Sequence, residues 1–159
     1  MFYFDDFYGK KVLKSNYLKE ITAFFTTRES IDFTKLKSER VLQPIQTHCD
    51  NIEFVDCRNE YPNTDGLILT NTSDAIKLKF ADCTPLIFYD KKQKIAAISH
   101  AGWRGTAAKI GTKTLIKMQS NPNDIIAIIG PAIGMCCYEV SEDVCNRLLA
   151  TVNRKEGLY

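Results

Sequence analysis

The sequence predicts an α+β fold on a mixed β-sheet, because many short apolar segments bounded by turn residues outnumber two helical patterns, and the two kinds do not alternate strictly. A continuous apolar run at residues 125–129 and a hairpin pattern at residues 86–99 carry most of that expectation. Residues 1–19 are aromatic and charged, and residues 20–27 (EITAFFTT) read as the first core strand. Residues 28–40 are charged and weakly periodic, which fits a short helix or a long loop. Residues 41–47, 51–56 and 66–70 read as strands between polar, Pro- or Gly-bearing turns. In residues 75–80, Ile76, Leu78 and Phe80 alternate with Lys77 and Lys79, the pattern of a strand with one wet face. Residues 86–89 and 94–99 flank Asp90-Lys91-Lys92-Gln93 as a hairpin. Residues 105–120 form the strongest helix pattern, offering Ala108, Leu115, Ile116 and Met118 to a buried face and stopping at Asn121-Pro122. The run at 125–129 then predicts a strand covered on both faces. Ser141, followed by Glu142 and Asp143, reads as the N-cap of a last helix reaching about residue 152.

A length of 159 residues fits one domain. Twenty-one Lys and Arg against 19 Asp and Glu leave a net charge of +2, and the charges form no stripe, so neither nucleic acid nor a membrane surface is an expected partner. No apolar run reaches the ~18 residues of a membrane span. Residues 1–14 interrupt their aromatics with Asp5 and Asp6, unlike a signal peptide, so a cytoplasmic location is expected. Six cysteines with no C-x-x-C pair and no secretory context read as reduced thiols rather than a disulfide framework or a four-cysteine zinc site.

The chain has two histidines, His48 and His100, each placed at the end of a predicted strand. Cys83, in Ala81-Asp82-Cys83-Thr84-Pro85, lies just past the alternating strand. Should these three converge at one rim of the sheet, a His2Cys set leaves a fourth position open, as in a catalytic zinc site. Half-buried histidines and an inert buried cysteine are the alternative that spacing leaves open. In His100-Ala101-Gly102-Trp103-Arg104-Gly105, the glycines permit a tight turn, and Arg104 offers a bidentate fork to an anion, with a surface salt bridge as its other reading. Gly130-Pro131-Ala132-Ile133-Gly134 forms a loop after the buried strand.

Taken in order, Gln46-Thr47-His48, Thr64-Asp65-Gly66, Ala81-Asp82-Cys83-Thr84-Pro85, the His100–Gly105 motif, the Gly130–Gly134 loop and Tyr138-Glu139-Val140 resemble the laccase-domain family, once called multicopper polyphenol oxidases. That resemblance implies zinc on His48, Cys83 and His100. It also implies purine nucleoside phosphorylase activity on adenosine, inosine, guanosine and methylthioadenosine, with adenosine deamination as a second activity. The implied fold is a sandwich of mixed sheets with flanking helices, similar to the cytotoxic necrotizing factor catalytic domain. Residues 1–159 are then one laccase-domain-like domain without the family's usual C-terminal part, and a homo-oligomer that buries an open sheet edge is expected. After Arg28 the family's Gly-Gly-x-Ser loop is replaced by Glu29-Ser30-Ile31-Asp32.

Under this resemblance Asp82 is the candidate for proton transfer, with backbone capping as its alternative. Arg28, Arg104 and Gln46 are candidates for binding phosphate and substrate. Copper ranks below zinc, because two histidines cannot fill several copper centres. A cysteine hydrolase using Cys83 and His100 and a non-catalytic zinc-binding fold are the competing readings. Cys136 and Cys137 either face the site or fill core, the latter being preferred.

Overall fold

The computed structural model describes residues 1–152. Its elements run β1 (Phe2–Phe7), β2 (Lys10–Ser15), β3 (Phe25–Thr26), β4 (Arg40–Leu42), β5 (Ile52–Phe54), β6 (Gly66–Leu69), β7 (Asp74–Ile76), β8 (Thr84–Asp90), β9 (Ile95–Ala101), α1 (Trp103–Ala107), α2 (Ile110–Met118), β10 (Ile125–Ile129) and α3 (Glu142–Leu149). The central sheet has five strands in the order β10-β8-β9-β6-β5. β5 and β6 are parallel and the other pairs antiparallel, so the sheet is mixed as expected. A three-stranded antiparallel sheet, β1-β2-β3, and a parallel pair, β4-β7, accompany it.

Strand alternation divides the central sheet between two layers. On one face Ile52, Ile68, Phe88, Ala97 and Ala101 pack on Ile110 and Met118 of α2. The opposite face is covered in two parts. Ile87, Tyr89 and Ile128 meet Leu18, Ile21, Ala23 and Phe25, while Leu67 meets Leu42, Val55 and Tyr61. Burying each of these large side chains stabilises the fold by about 1.5–3 kcal/mol.

Several expectations are corrected. The N-terminal segment is a hairpin turned by Tyr8 and Gly9, both at positive φ (51° and 78°), the geometry that matches the twist of paired strands. Of residues 20–27 only Phe25 and Thr26 pair as strand, although Ile21, Ala23 and Phe25 still alternate into the core. Residues 28–40 are a loop holding one 3-10 turn, Phe33–Lys35, capped by the Asp32 side chain. β4 ends at Leu42, two residues before Pro44, which has no N–H for a ladder. β7 stops at Ile76, and Lys77 turns back over the Phe33 ring at 4.5 Å rather than lining a wet face.

The expected 105–120 helix is two helices, because Lys109 takes a left-handed φ of 59° between α1 and α2. Met118 is buried as expected and Leu115 packs partly buried on the same core, while the offset adds Ile110 and Thr114 to the buried face and leaves Ile116 exposed. β10 is not covered on both faces, since Ala127 and Ile129 are exposed, Ile129 at 68%; among the described residues it pairs with β8 alone at the sheet edge. α3 starts where expected and ends at Leu149, but the Ser141 side chain makes no capping bond. All six cysteines are free thiols. Among the described residues, no helix is long and apolar enough to cross a membrane.

Candidate metal centre

Three loops and one strand end build the site. His100 lies near the end of β9, buried at 3% exposure. Cys83 lies in the turn just before β8, and Thr84, which follows it, pairs with Ala101, which follows His100, so ladder register brings Cys83 to His100. His48 is not at a strand end. It sits in the loop between β4 and β5, in a left-handed conformation (φ 60°) that costs a non-glycine residue about 1–2 kcal/mol.

The buried carboxylate of Asp65 holds that loop in place. It accepts hydrogen bonds from the backbone N–H groups of Thr47 (2.8 Å), His48 (3.1 Å) and Cys49 (3.1 Å), and from the Cys49 thiol at 3.1 Å. The oxygen that accepts from His48, Oδ2, also lies 2.6 Å from Nδ1 of His100. Burial by itself would raise the Asp65 carboxyl, but the hydrogen bonds from His100, Thr47 and Cys49 outweigh it and hold the group below the ordinary carboxylate range. With Nδ1 on a carboxylate, Nε2 of His100 is the nitrogen left for a metal, the usual carboxylate–histidine–metal arrangement.

The ligand atoms of His48, Cys83 and His100 all lie within 4.8 Å of one another. Bonds of about 2.0–2.3 Å place tetrahedral zinc ligands roughly 3.5 Å apart, so small side-chain rotations close the set. Gly102 confirms the crowding at this point. A Cβ there would meet Cys83 Sγ and His48 Cδ2, each at 3.1 Å, so the chain runs side-chain-free beneath two ligands. The two imidazoles stand edge to face at 4.8 Å, and Phe80 covers His100 at 5.5 Å. The residues fit a three-ligand ion with an open fourth position, and two imidazoles with a thiolate suit zinc or copper. Without a cation the Cys83 thiol is pushed up, first by burial and then by the carboxylates of Asp65 and Asp82.

The remaining candidates occupy several different settings. Asp82 is exposed beside Cys83, and its backbone carbonyl accepts from Ile133 N–H at 3.1 Å. The Gln46 side chain is taken up by the backbone of Lys79, donating to its carbonyl and accepting from its N–H, both at 2.8 Å. Gln46 thereby ties the His48 loop to the segment leading into Cys83. Arg104 is exposed on α1 and lies over the Trp103 ring at 4.4 Å, with Arg147 of α3 over the same ring at 5.8 Å. Arg28 stands exposed beyond β3.

Sequence reasoning had no role for Asp65 or Arg147. The signal for Asp65 was present in Thr64-Asp65-Gly66, a carboxylate between a strand start and a tight approach. Cys136 and Cys137 are exposed rather than core, because residues 130–141 cross the surface between β10 and α3.

Known proteins resemble this chain in sequence and in fold. The family model described as multi-copper polyphenol oxidoreductase laccase matches residues 25–158. A Bacillus subtilis protein named purine nucleoside phosphorylase YlmD is 37% identical over 119 residues, covering 66% of this chain and 43% of that protein. The crystal structure of a Bacillus licheniformis hypothetical protein, YfiH, superposes with a TM-score of 0.67 at 35% identity over 73% of this chain and 48% of the other. The crystal structure of YlmD from Geobacillus stearothermophilus gives a TM-score of 0.67 at 32% identity, covering 74% and 49%. The chain thus spans less than half the length of these relatives.

Proposed function

The chain belongs to the multi-copper polyphenol oxidoreductase laccase family, and from that premise we propose that it is a zinc-dependent purine nucleoside phosphorylase with a secondary adenosine deaminase activity. The observation that carries the reading is the convergence of His48, Cys83 and His100 within 4.8 Å, with Asp65 behind one ligand. Its support from relatives is the name purine nucleoside phosphorylase borne by the matching Bacillus subtilis protein. Adenosine, inosine, guanosine and methylthioadenosine are the proposed substrates, with phosphate as co-substrate.

When bound, zinc supplies Lewis-acid activation at the open coordination position. The chain's own residues do the rest. Asp65 fixes the His100 ring and the His48 loop, so that the ligands need little reorganisation. Arg104 and Arg28 hold phosphate as charge-assisted donors, and Trp103 restrains the Arg104 guanidinium. Asp82, exposed beside Cys83, passes a proton to departing ammonia in the deamination.

A second reading rests on one observation. Cys83, His100 and Asp65 also have the order of a nucleophile, a base and its orienting carboxylate, as the expected likeness to the toxin catalytic domain would suggest. The upward push on the Cys83 thiol opposes it, because a nucleophilic cysteine needs a lowered pKa.

Metal analysis paired with an inosine-plus-phosphate assay tests the proposal. Expected are one zinc per chain and phosphate-dependent release of hypoxanthine, both lost in His48→Ala and Cys83→Ser. Arg104→Ala is expected to raise the KM for phosphate with a stability change under ~1 kcal/mol. Bound zinc without turnover of any nucleoside would reduce the chain to a non-catalytic zinc-binding fold. Turnover that survives removal of the metal and still needs Cys83 would establish the cysteine chemistry instead.

A further inference from the structure

The loop between β10 and α3 carries two adjacent exposed thiols outside the His48–Cys83–His100 cluster, Cys136 and Cys137, whose sulfur atoms lie 3.3 Å apart. Adjacent side chains ordinarily diverge, so this approach needs a backbone that turns them to one side. The Cys137 N–H supplies it by donating to the Gly134 carbonyl at 3.0 Å. One end of the loop is fixed as well, through the Ile133 N–H on the Asp82 carbonyl at 3.1 Å. Met135, immediately before the pair, is 81% exposed, and both cysteines are themselves exposed among the described residues.

Two chemistries are open to such a pair, and geometry separates them. A disulfide usually spans Cα atoms about 4.4–6.8 Å apart, whereas Cα atoms joined by a trans peptide are about 3.8 Å apart, so direct S–S bonding strains the chain. Bridging by an ion does not. With bonds of about 2.3 Å, the length of a metal–thiolate bond, sulfurs 3.3 Å apart subtend roughly 90° at the ion. A tetrahedral ion prefers a wider angle, while trivalent arsenic and antimony, with a lone pair and near-perpendicular bonds, prefer this one.

We propose that Cys136 and Cys137 form a two-thiol chelating site for trivalent arsenicals, separate from the His48–Cys83–His100 centre. Loading involves no oxidant. With an organoarsenic oxide, two S–H bonds and the arsenic–oxygen bond break and two As–S bonds form. The thiol protons leave with the oxygen as one water, and arsenic stays trivalent. The second As–S bond closes within the molecule, so its loss should weaken binding by about 10²–10⁴-fold.

Phenylarsine oxide is the probe, applied to the zinc-loaded full chain and followed by intact-mass spectrometry. One adduct per chain is expected, corresponding to addition of the arsenical with loss of one water. It should persist in excess 2-mercaptoethanol and be released by 2,3-dimercaptopropanol. Cys136→Ser and Cys137→Ser should each lower the affinity by about 10²–10⁴-fold, while Cys49→Ser and Cys57→Ser leave it unchanged. Circular dichroism of the two exposed-loop variants checks that they are folded. An adduct retained at full affinity in folded Cys136→Ser and Cys137→Ser, or a wild-type chain that takes up none, overturns the proposal.

Discussion

The Asp65 carboxylate lies 2.6 Å from Nδ1 of His100, and both side chains are sealed from solvent at 0% and 4% exposure. The same carboxylate accepts the backbone N–H groups that fold the His48 loop. One buried charge therefore places two candidate metal ligands 52 residues apart in sequence, and its chemistry should be felt in both stability and metal binding.

Asp65→Asn keeps the side chain's shape but replaces an acceptor oxygen with a donor. At least one buried N–H then loses its partner, at about 1–3 kcal/mol. Chelator competition should show metal affinity falling about 10–100-fold, the usual cost of removing such a partner. Unchanged affinity in a destabilised variant would make Asp65 a loop anchor only.

Gly102→Ala isolates crowding from conformation. The residue has φ −70° and ψ 172°, a region open to alanine, so the substitution acts only through a Cβ set against Cys83 Sγ and His48 Cδ2. Zinc content should fall well below one equivalent while Tm changes little. Full zinc occupancy would show that the ligands can shift to make room.

Asp90, the last residue of β8, governs part of the acid response. Its carboxyl is held at about 2, first by hydrogen bonding with the Ser120 hydroxyl and then by the Gln93 N–H, against burial. A depressed folded-state pKa gives stability that is present above the unfolded value of about 3.9 and lost as pH falls toward the folded value. Urea unfolding should therefore show wild type and Asp90→Asn well separated at pH 7 and converging between about pH 4 and pH 2. Parallel curves across that window would remove Asp90 from the acid transition.

Among the described residues β10 has an open edge, with Ile129 exposed at its end. Unprotected apolar edges pair with other strands, so sedimentation at micromolar concentration should show self-association, which Ile129→Lys weakens. A monomer that binds no hydrophobic dye would show that this edge is tolerated in water.

The candidate ligand set was legible in the sequence because its chemistry is rare there. Two histidines and one cysteine in distinctive motifs leave few combinations, and periodicity placed β5, β6, β8, β9 and the helices close to where they lie. The hairpin at Tyr8-Gly9 was missed because its turn depends on two positive φ values that Tyr does not advertise. Similarly, the break at Lys109 has no Gly or Pro to announce it.

Composition and spacing by themselves determined which residues could carry chemistry, the mixed α+β class and the absence of a charge stripe. Only the tertiary structure decided what those residues do together. Whether the 125–129 run is central or an edge depends on how many strands lie beyond it, which no local pattern encodes. The role of Asp65 has the same origin: it exists only when strand register brings β6 beside β9, so that a carboxylate and an imidazole 35 residues apart meet in a space without water.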